Sequence, residues 1–124
     1  MIVYHYTSKE FYDEIMRAMT LKPSSPWTTM DAAYGIGWYF TDLGPDICDM
    51  AIAYRCWQDT TALYRTEYYL KFDIDAKILK KCREHVYILE KWDKDLVKYL
   101  EGQKNKSCSL KPCETCEKGE KYRQ

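Results

Sequence analysis

A chain of 124 residues is the length of one domain, and such a domain buries about two-thirds of its unfolded surface, so a core forms without staples. Lys plus Arg and Asp plus Glu number 19 each, and that balance argues against a chain-wide electrostatic grip on nucleic acid, though a local basic face stays open. No stretch nears the ~20 apolar residues of a membrane span, and Met1-Ile2-Val3-Tyr4-His5-Tyr6 lacks the basic-then-apolar order of a secretory leader; a soluble cytoplasmic protein without a membrane partner is expected.

Residues 2–6 are rich in β-formers and read as a short strand. Thr7-Ser8-Lys9-Glu10 sets a hydroxyl before an acid, a helix start, and Phe11, Ile15, Ala18 and Met19 recur at helical spacing, predicting a helix over 9–19. Two prolines, Pro23 and Pro26, mark a loop, and Asp31-Ala32-Ala33-Tyr34 reads as a helical turn ending at Gly35. Trp38-Tyr39-Phe40-Thr41 reads as a strand, with the Thr41-Asp42 pair placed to start a helix. Pro45 fits the first turn of that helix, which runs on with Ile47, Met50, Ala51 and Tyr54 on one face to Trp57.

The clearest strand pattern covers 64–75: Tyr68, Leu70, Phe72 and Ile74 share one face, while Glu67, Tyr69, Lys71, Asp73 and Asp75 share a polar or site-lining face. A helical turn is expected over 77–82 and a strand over 85–89, with a continuous helix over 77–101 as the rival. Residues 93–100 are amphipathic and stop at Gly102. The pattern gives an α+β fold, a single domain over 1–102 and a polar Cys/Lys-rich tail over 103–124.

Gly35-x-Gly37 lacks the third glycine and the strand–helix setting of a dinucleotide fingerprint. Cys108-x4-Cys113-x2-Cys116 offers three thiolates where structural zinc takes four; free thiols in a tail are preferred, with Cys82 or His85 completing a site only if the tail folds back. Cys48, Cys56 and Cys82 read as small buried hydrophobes in a reducing compartment. Lys77, Lys80, Lys81 and Arg83 with Lys91, Lys94 and Lys98 form either a basic face for nucleic acid or, more commonly, a solvated face. Gly35-Ile36-Gly37-Trp38-Tyr39-Phe40 combines close backbone approach with flat aromatic surface, which suits a pocket for a flat heterocycle.

The order Tyr4-His5-Tyr6-Thr7-Ser8, Leu21-Lys22-Pro23-Ser24, Tyr39-Phe40-Thr41-Asp42-Leu43-x-Pro45 and Tyr68-Tyr69-Leu70-Lys71-Phe72-Asp73 resembles the ADP-ribosyltransferase fold. It is closest to the small bacterial toxin-type branch named for a His-Tyr-Asp signature, and the Tyr-Phe block is similar to that of poly-ADP-ribose polymerases. The likeness spans about residues 3–90. It implies a split antiparallel β-sandwich with short flanking helices, NAD as substrate without a required metal, a protein or nucleic-acid acceptor, and a neutralising antitoxin. By resemblance His5 binds the adenosine ribose, Tyr39 packs on nicotinamide with Tyr54 as the second aromatic, and Tyr6, Thr7, Gly37 and Phe40 belong to the NAD site. The acid is expected at Glu67, from Thr66-Glu67-Tyr68, with Asp42, Asp73 and Asp75 as rivals. NAD hydrolysis and a silent binding module with a zinc-clipped tail are the alternative functions.

Overall fold

The computed structural model describes residues 1–18, 21, 35–59 and 61–90, and the backbone of 99–104. Strand β1 (Ile2–Thr7) leads into helix α1 (Lys9–Ala18); β2 (Trp38–Thr41) is followed by α2 (Asp49–Trp57), a 3₁₀ turn at Leu63–Thr66 and β3 (Tyr68–Asp73). A second 3₁₀ turn (Ala76–Ile78) precedes β4 (Lys80–Arg83), β5 (Val86–Leu89) and β6 (Tyr99–Lys104). The strands form one six-stranded sheet in the order β4-β5-β2-β1-β3-β6, and every neighbouring pair is antiparallel.

Both faces of the sheet are covered. Val3, Phe40, Leu70, Phe72 and Leu89 pack with Ile15 of α1 on one face, and Tyr6 and Tyr69 pack with Ile52 of α2 on the other. Period-two alternation therefore sends every second side chain of β1 and β3 into one core or the other. The face of β3 expected to be polar or site-lining is apolar at Tyr69, which is 2% exposed and meets Tyr4 edge-on at 5.9 Å between centroids, while Lys71 stays half-buried and Asp73 exposed. A tyrosine reads as amphipathic in sequence but contributes a large apolar ring once its neighbours are rings too.

Several expected boundaries shift for local reasons. Thr66 is fully buried and its hydroxyl donates to the Leu63 carbonyl at 2.7 Å, so residues 63–66 wind into a 3₁₀ turn and the strand begins only at Tyr68. Pro45 is not in the helix. It stands at the second position of a turn closed by Ile47 N–H on the Gly44 carbonyl at 3.1 Å, a place that suits its fixed φ. The Thr41 hydroxyl accepts from Leu43 N–H at 3.2 Å, a local turn rather than a helix cap. Residues 80–83 form β4 because β5 pairs with them, which shortens the helical turn expected over 77–82 to the 3₁₀ turn Ala76–Ile78 and removes the rival helix over 77–101. Tyr99 and Leu100 belong to β6, not to a helix, and β6 runs past residue 102 because Gln103 and Lys104 pair with Tyr69 and Tyr68. The turn expected at 31–34, the remainder of the 93–100 pattern and the tail cysteines lie outside the described residues.

Cys48 is buried as expected but departs from the expected reducing compartment, since it is disulfide-bonded, whereas Cys56 and Cys82 are free and only half-buried. Among the described residues no helix is long and apolar enough to cross a membrane.

Candidate active site

The β1–β2 seam differs from the other ladders. β1 pairs with β3 through all six residues, and β2 pairs with β5 through all four, but β1 and β2 share only the Tyr4–Thr41 pair. Which backbone groups face this seam follows from one bond. Ile74 N–H donates to the Met1 carbonyl at 3.0 Å, so odd-numbered β1 residues turn their amides to β3 and even-numbered ones to β2. Tyr4 accordingly pairs with β2. Tyr6 is two residues further on, so its N–H and C=O also point toward β2, opposite Tyr39, where no ladder pair follows.

His5 explains why the ladder stops. Its Nδ1 lies 3.1 Å from the Tyr39 carbonyl oxygen, the acceptor that a continued ladder would offer to Tyr6 N–H. A carbonyl only accepts, so Nδ1 carries the proton and Nε2 keeps an acceptor lone pair; among the described residues nothing bonds it. His5 shares the α1 face with Val3 and meets Phe40 edge-on at 6.4 Å. Burial holds its imidazole below the ordinary 6.5, only partly offset by the bond to Tyr39.

This shift has a signed consequence. The unfolded chain binds the His5 proton more readily than the fold does, so the stability involved is complete above about pH 6.5 and is lost as the pH falls below it. Denaturant midpoints measured at about pH 7.5 and about pH 5 should therefore fall on acidification, and His5→Gln should flatten the fall. Equal slopes in the two proteins would show that His5 is not held neutral.

Tyr39 stands on the opposite face of β2 from Phe40, half-buried, with its hydroxyl donating to the Gly35 carbonyl at 2.6 Å. The ring is thus tied to the turn that precedes its own strand, and Gly35 holds that turn at φ +104°, a conformation that favours glycine. Gly37 has a different reason to be glycine. A Cβ there would sit 2.7 Å from the Leu89 carbonyl oxygen and 2.8 Å from Ile88 Cγ1, so it permits close approach of β5. Trp38 fixes the start of β2 by donating from Nε1 to the Leu21 carbonyl at 2.7 Å.

Glu67 is not on the strand. It caps the 3₁₀ turn in right-handed helical geometry, half-buried, one residue before Tyr68 pairs with Thr7. Because β1 is antiparallel to both neighbours, the end of β1, the start of β2 and the start of β3 lie at one end of the sheet. His5, Tyr6, Thr7, Tyr39 and Glu67 all belong to that end, although the His5 and Tyr39 side chains rise from opposite faces. Thr7 is buried, and Phe40 is a core residue that packs on Phe72 at 5.3 Å. Tyr54 lies about 200° around α2 from Ile52, on the side away from the packed stripe.

The rival acids sit elsewhere. Asp73 ends β3, roughly 17 Å from its start, and holds the N-terminal ammonium at 3.1 Å. Asp75 caps the second 3₁₀ turn by accepting from Lys77 N–H at 2.9 Å. Asp42 accepts from Tyr87 OH at 3.2 Å and lies 2.7 Å from His85 Nδ1. His85 has φ 66° in the β4–β5 hairpin turn, a place where glycine is usual, and the Asp42 contact holds it there. Sequence gave no warning of this cluster, since strand pairing alone joins residues 42, 85 and 87. Cys56 is no nucleophile: burial pushes its thiol up to about 12. Arg83 is not a free cation, because its guanidinium donates to the Arg55 and Cys56 carbonyls at the end of α2, the latter at 2.8 Å. Among the described residues no group of three or more His, Cys, Asp or Glu is arranged to hold a metal.

The antiparallel sheet with its two helices is the α+β class that the sequence pattern gives, and its strands form one six-stranded sheet. The chain belongs to the HYD1-signature-containing ADP-ribosyltransferases, a toxin-type family whose model matches residues 3–98. No curated protein and no solved structure gives a significant match.

Proposed function

We propose that this protein cleaves the nicotinamide–ribose bond of NAD in the β1–β2 opening and transfers ADP-ribose to a macromolecule. The observation that carries this reading is the interrupted seam, where His5 occupies the Tyr39 carbonyl and leaves the Tyr6 N–H and C=O facing an unpaired stretch. One donor and one acceptor side by side match a carboxamide, whose NH₂ would bond the Tyr6 carbonyl and whose C=O would accept from the Tyr6 amide. Tyr39 then packs on the pyridine ring, with Thr7 and Gly37 at the same end of the sheet, while Phe40 supports β2 from the core on the other face. The lone pair on His5 Nε2 accepts from a hydroxyl of the adenosine ribose.

Glu67 acts on the other ribose. As the bond breaks, nicotinamide leaves with the bonding electron pair and positive charge builds at the anomeric carbon. A fixed carboxylate that holds the 2′-hydroxyl stabilises that charge more than it stabilises bound NAD, and this difference is what accelerates the step. The acceptor's nucleophile attacks the cation and gives up its proton. Water in the acceptor's place makes the same step hydrolysis. The chain's own residues suffice for this chemistry.

The reading extends to a toxin kept in check by a neutralising partner. The domain boundary falls after β6, past residue 104 rather than at 102, with the remaining tail outside the catalytic part. The test is free nicotinamide released from NAD, with and without cell lysate. Release is expected in at least one condition; none in any condition would favour a silent binding module.

A further inference from the structure

By residue type the approach to β3 should be strand. Arg65-Thr66-Glu67 leads straight into Tyr68-Tyr69-Leu70, and the β-branched Thr66 favours extended backbone. The chain instead holds right-handed helical geometry at Glu67, φ −62° and ψ −36°, and β3 begins one residue later. The Thr66 hydroxyl diverts it, donating to the Leu63 carbonyl at 2.7 Å from a side chain with no exposed surface. The turn that this bond closes packs on β1 and α2. Arg65 holds the same turn from outside: its N–H donates to the Ala62 carbonyl at 3.1 Å, and its guanidinium lies 5.3 Å over the Trp57 ring of α2. The turn therefore stays attached to the domain even without the hydroxyl.

We propose that Thr66 is a positioning residue for Glu67: its buried hydroxyl fixes the backbone from which the carboxylate reaches the ribose of NAD; the inference rests on the function proposed above. With no exposed surface, Thr66 cannot touch a ligand itself. It acts by stopping the strand. In a strand, side-chain direction follows from alternation, so a β3 extended by one residue would send the Glu67 side chain to the face of Tyr69, where the core with Ile52 of α2 packs. The helical geometry at Glu67 breaks that alternation. A fixed charge accelerates the reaction only where charge develops in the transition state, and a misplacement of about 1 Å costs about 10²-fold. Without the hydroxyl, residues 66 and 67 are free to follow their neighbours into β3.

The test measures nicotinamide release from NAD by the full chain. It compares Thr66→Val, which keeps the shape and loses the hydroxyl, with Thr66→Ser, which keeps the hydroxyl. Thr66→Val should lower kcat about 10- to 100-fold with KM within about threefold of wild type, and Thr66→Ser should stay within about threefold in both. In a Glu67→Ala background Thr66→Val should cause no further loss, because the group it positions is gone; a merely structural role would lower the residual rate again. Thr66→Ala repeats the comparison if Thr66→Val does not fold. Wild-type turnover in Thr66→Val, equal losses in the Val and Ser variants, or losses that add to that of Glu67→Ala would overturn the inference, as would hydroxyl-free variants that do not fold at all. Wild-type protein that releases no nicotinamide, or a Glu67→Ala variant with full turnover, would instead remove the reading on which the inference rests.

Discussion

Replacing Glu67 with alanine should reduce nicotinamide release by about 10²–10³-fold, the loss seen when one electrostatic stabiliser of a transition state is removed. The fold should survive, because Glu67 is a half-buried cap residue on a short 3₁₀ turn and supports no core cluster. Glu67→Gln is the sharper variant. It keeps the shape and an acceptor oxygen but loses the charge, so most of the rate should go while the unfolding midpoint stays within about 0.5 kcal/mol of wild type. The same substitution at a rival acid gives the contrast. Asp73→Ala breaks only an exposed contact with the N-terminus, worth at most about 1 kcal/mol, and should leave turnover alone. Retained turnover in Glu67→Gln, or its loss in Asp73→Ala, would move the catalytic carboxylate elsewhere.

The second large effect is on stability. Gly37→Ala should cost about 1–3 kcal/mol, because the new methyl would lie 2.7 Å from a backbone oxygen and 2.8 and 2.9 Å from two carbons of Ile88. Nothing there is free to give. Leu89 and Ile88 are held by pairing with Trp38 and Tyr39, and both are nearly fully buried. Relief would require prising β5 from β2, the strand that presents Tyr39. Gly35→Ala makes the instructive comparison: it meets nothing within 4 Å and pays only for φ +104°, roughly 1–2 kcal/mol. Chemical denaturation of the two variants separates packing from backbone strain. If Gly37→Ala unfolded like wild type but bound NAD poorly, the glycine would serve ligand approach rather than sheet packing.

These positions also show what a sequence can disclose about this molecule. β1, α1, β2 and β5 were legible because each carries a local signal: β-branched and aromatic runs, or apolar residues at helical spacing. β4 was not, since Lys80-Lys81-Cys82-Arg83 has no strand pattern of its own and becomes a strand only through β5. On the β3 face read as polar or site-lining, Tyr69 departs because it and its tyrosine neighbours build a core of rings, while Lys71 and Asp73 stay half-buried and exposed. At the site, His5 and Tyr39 could be named from the resemblance, but the bond between them could not, because it depends on β1 and β2 being neighbours. The role of the Tyr6 backbone was equally hidden: amide direction follows from register, not from residue type. Glu67 was chosen by its neighbours in sequence, and its position in a turn rather than on the strand emerged only from the buried Thr66 hydroxyl.

The most direct test of the central claim is an amide NMR titration of ¹⁵N-labelled protein with nicotinamide, which probes the β1–β2 opening without requiring turnover. The largest shifts are expected at Tyr6, Thr7 and Tyr39, with the Glu84-His85 hairpin turn unmoved. Shifts confined to the Asp42–His85–Tyr87 cluster, with Tyr6 and Tyr39 unchanged at saturation, would contradict the account.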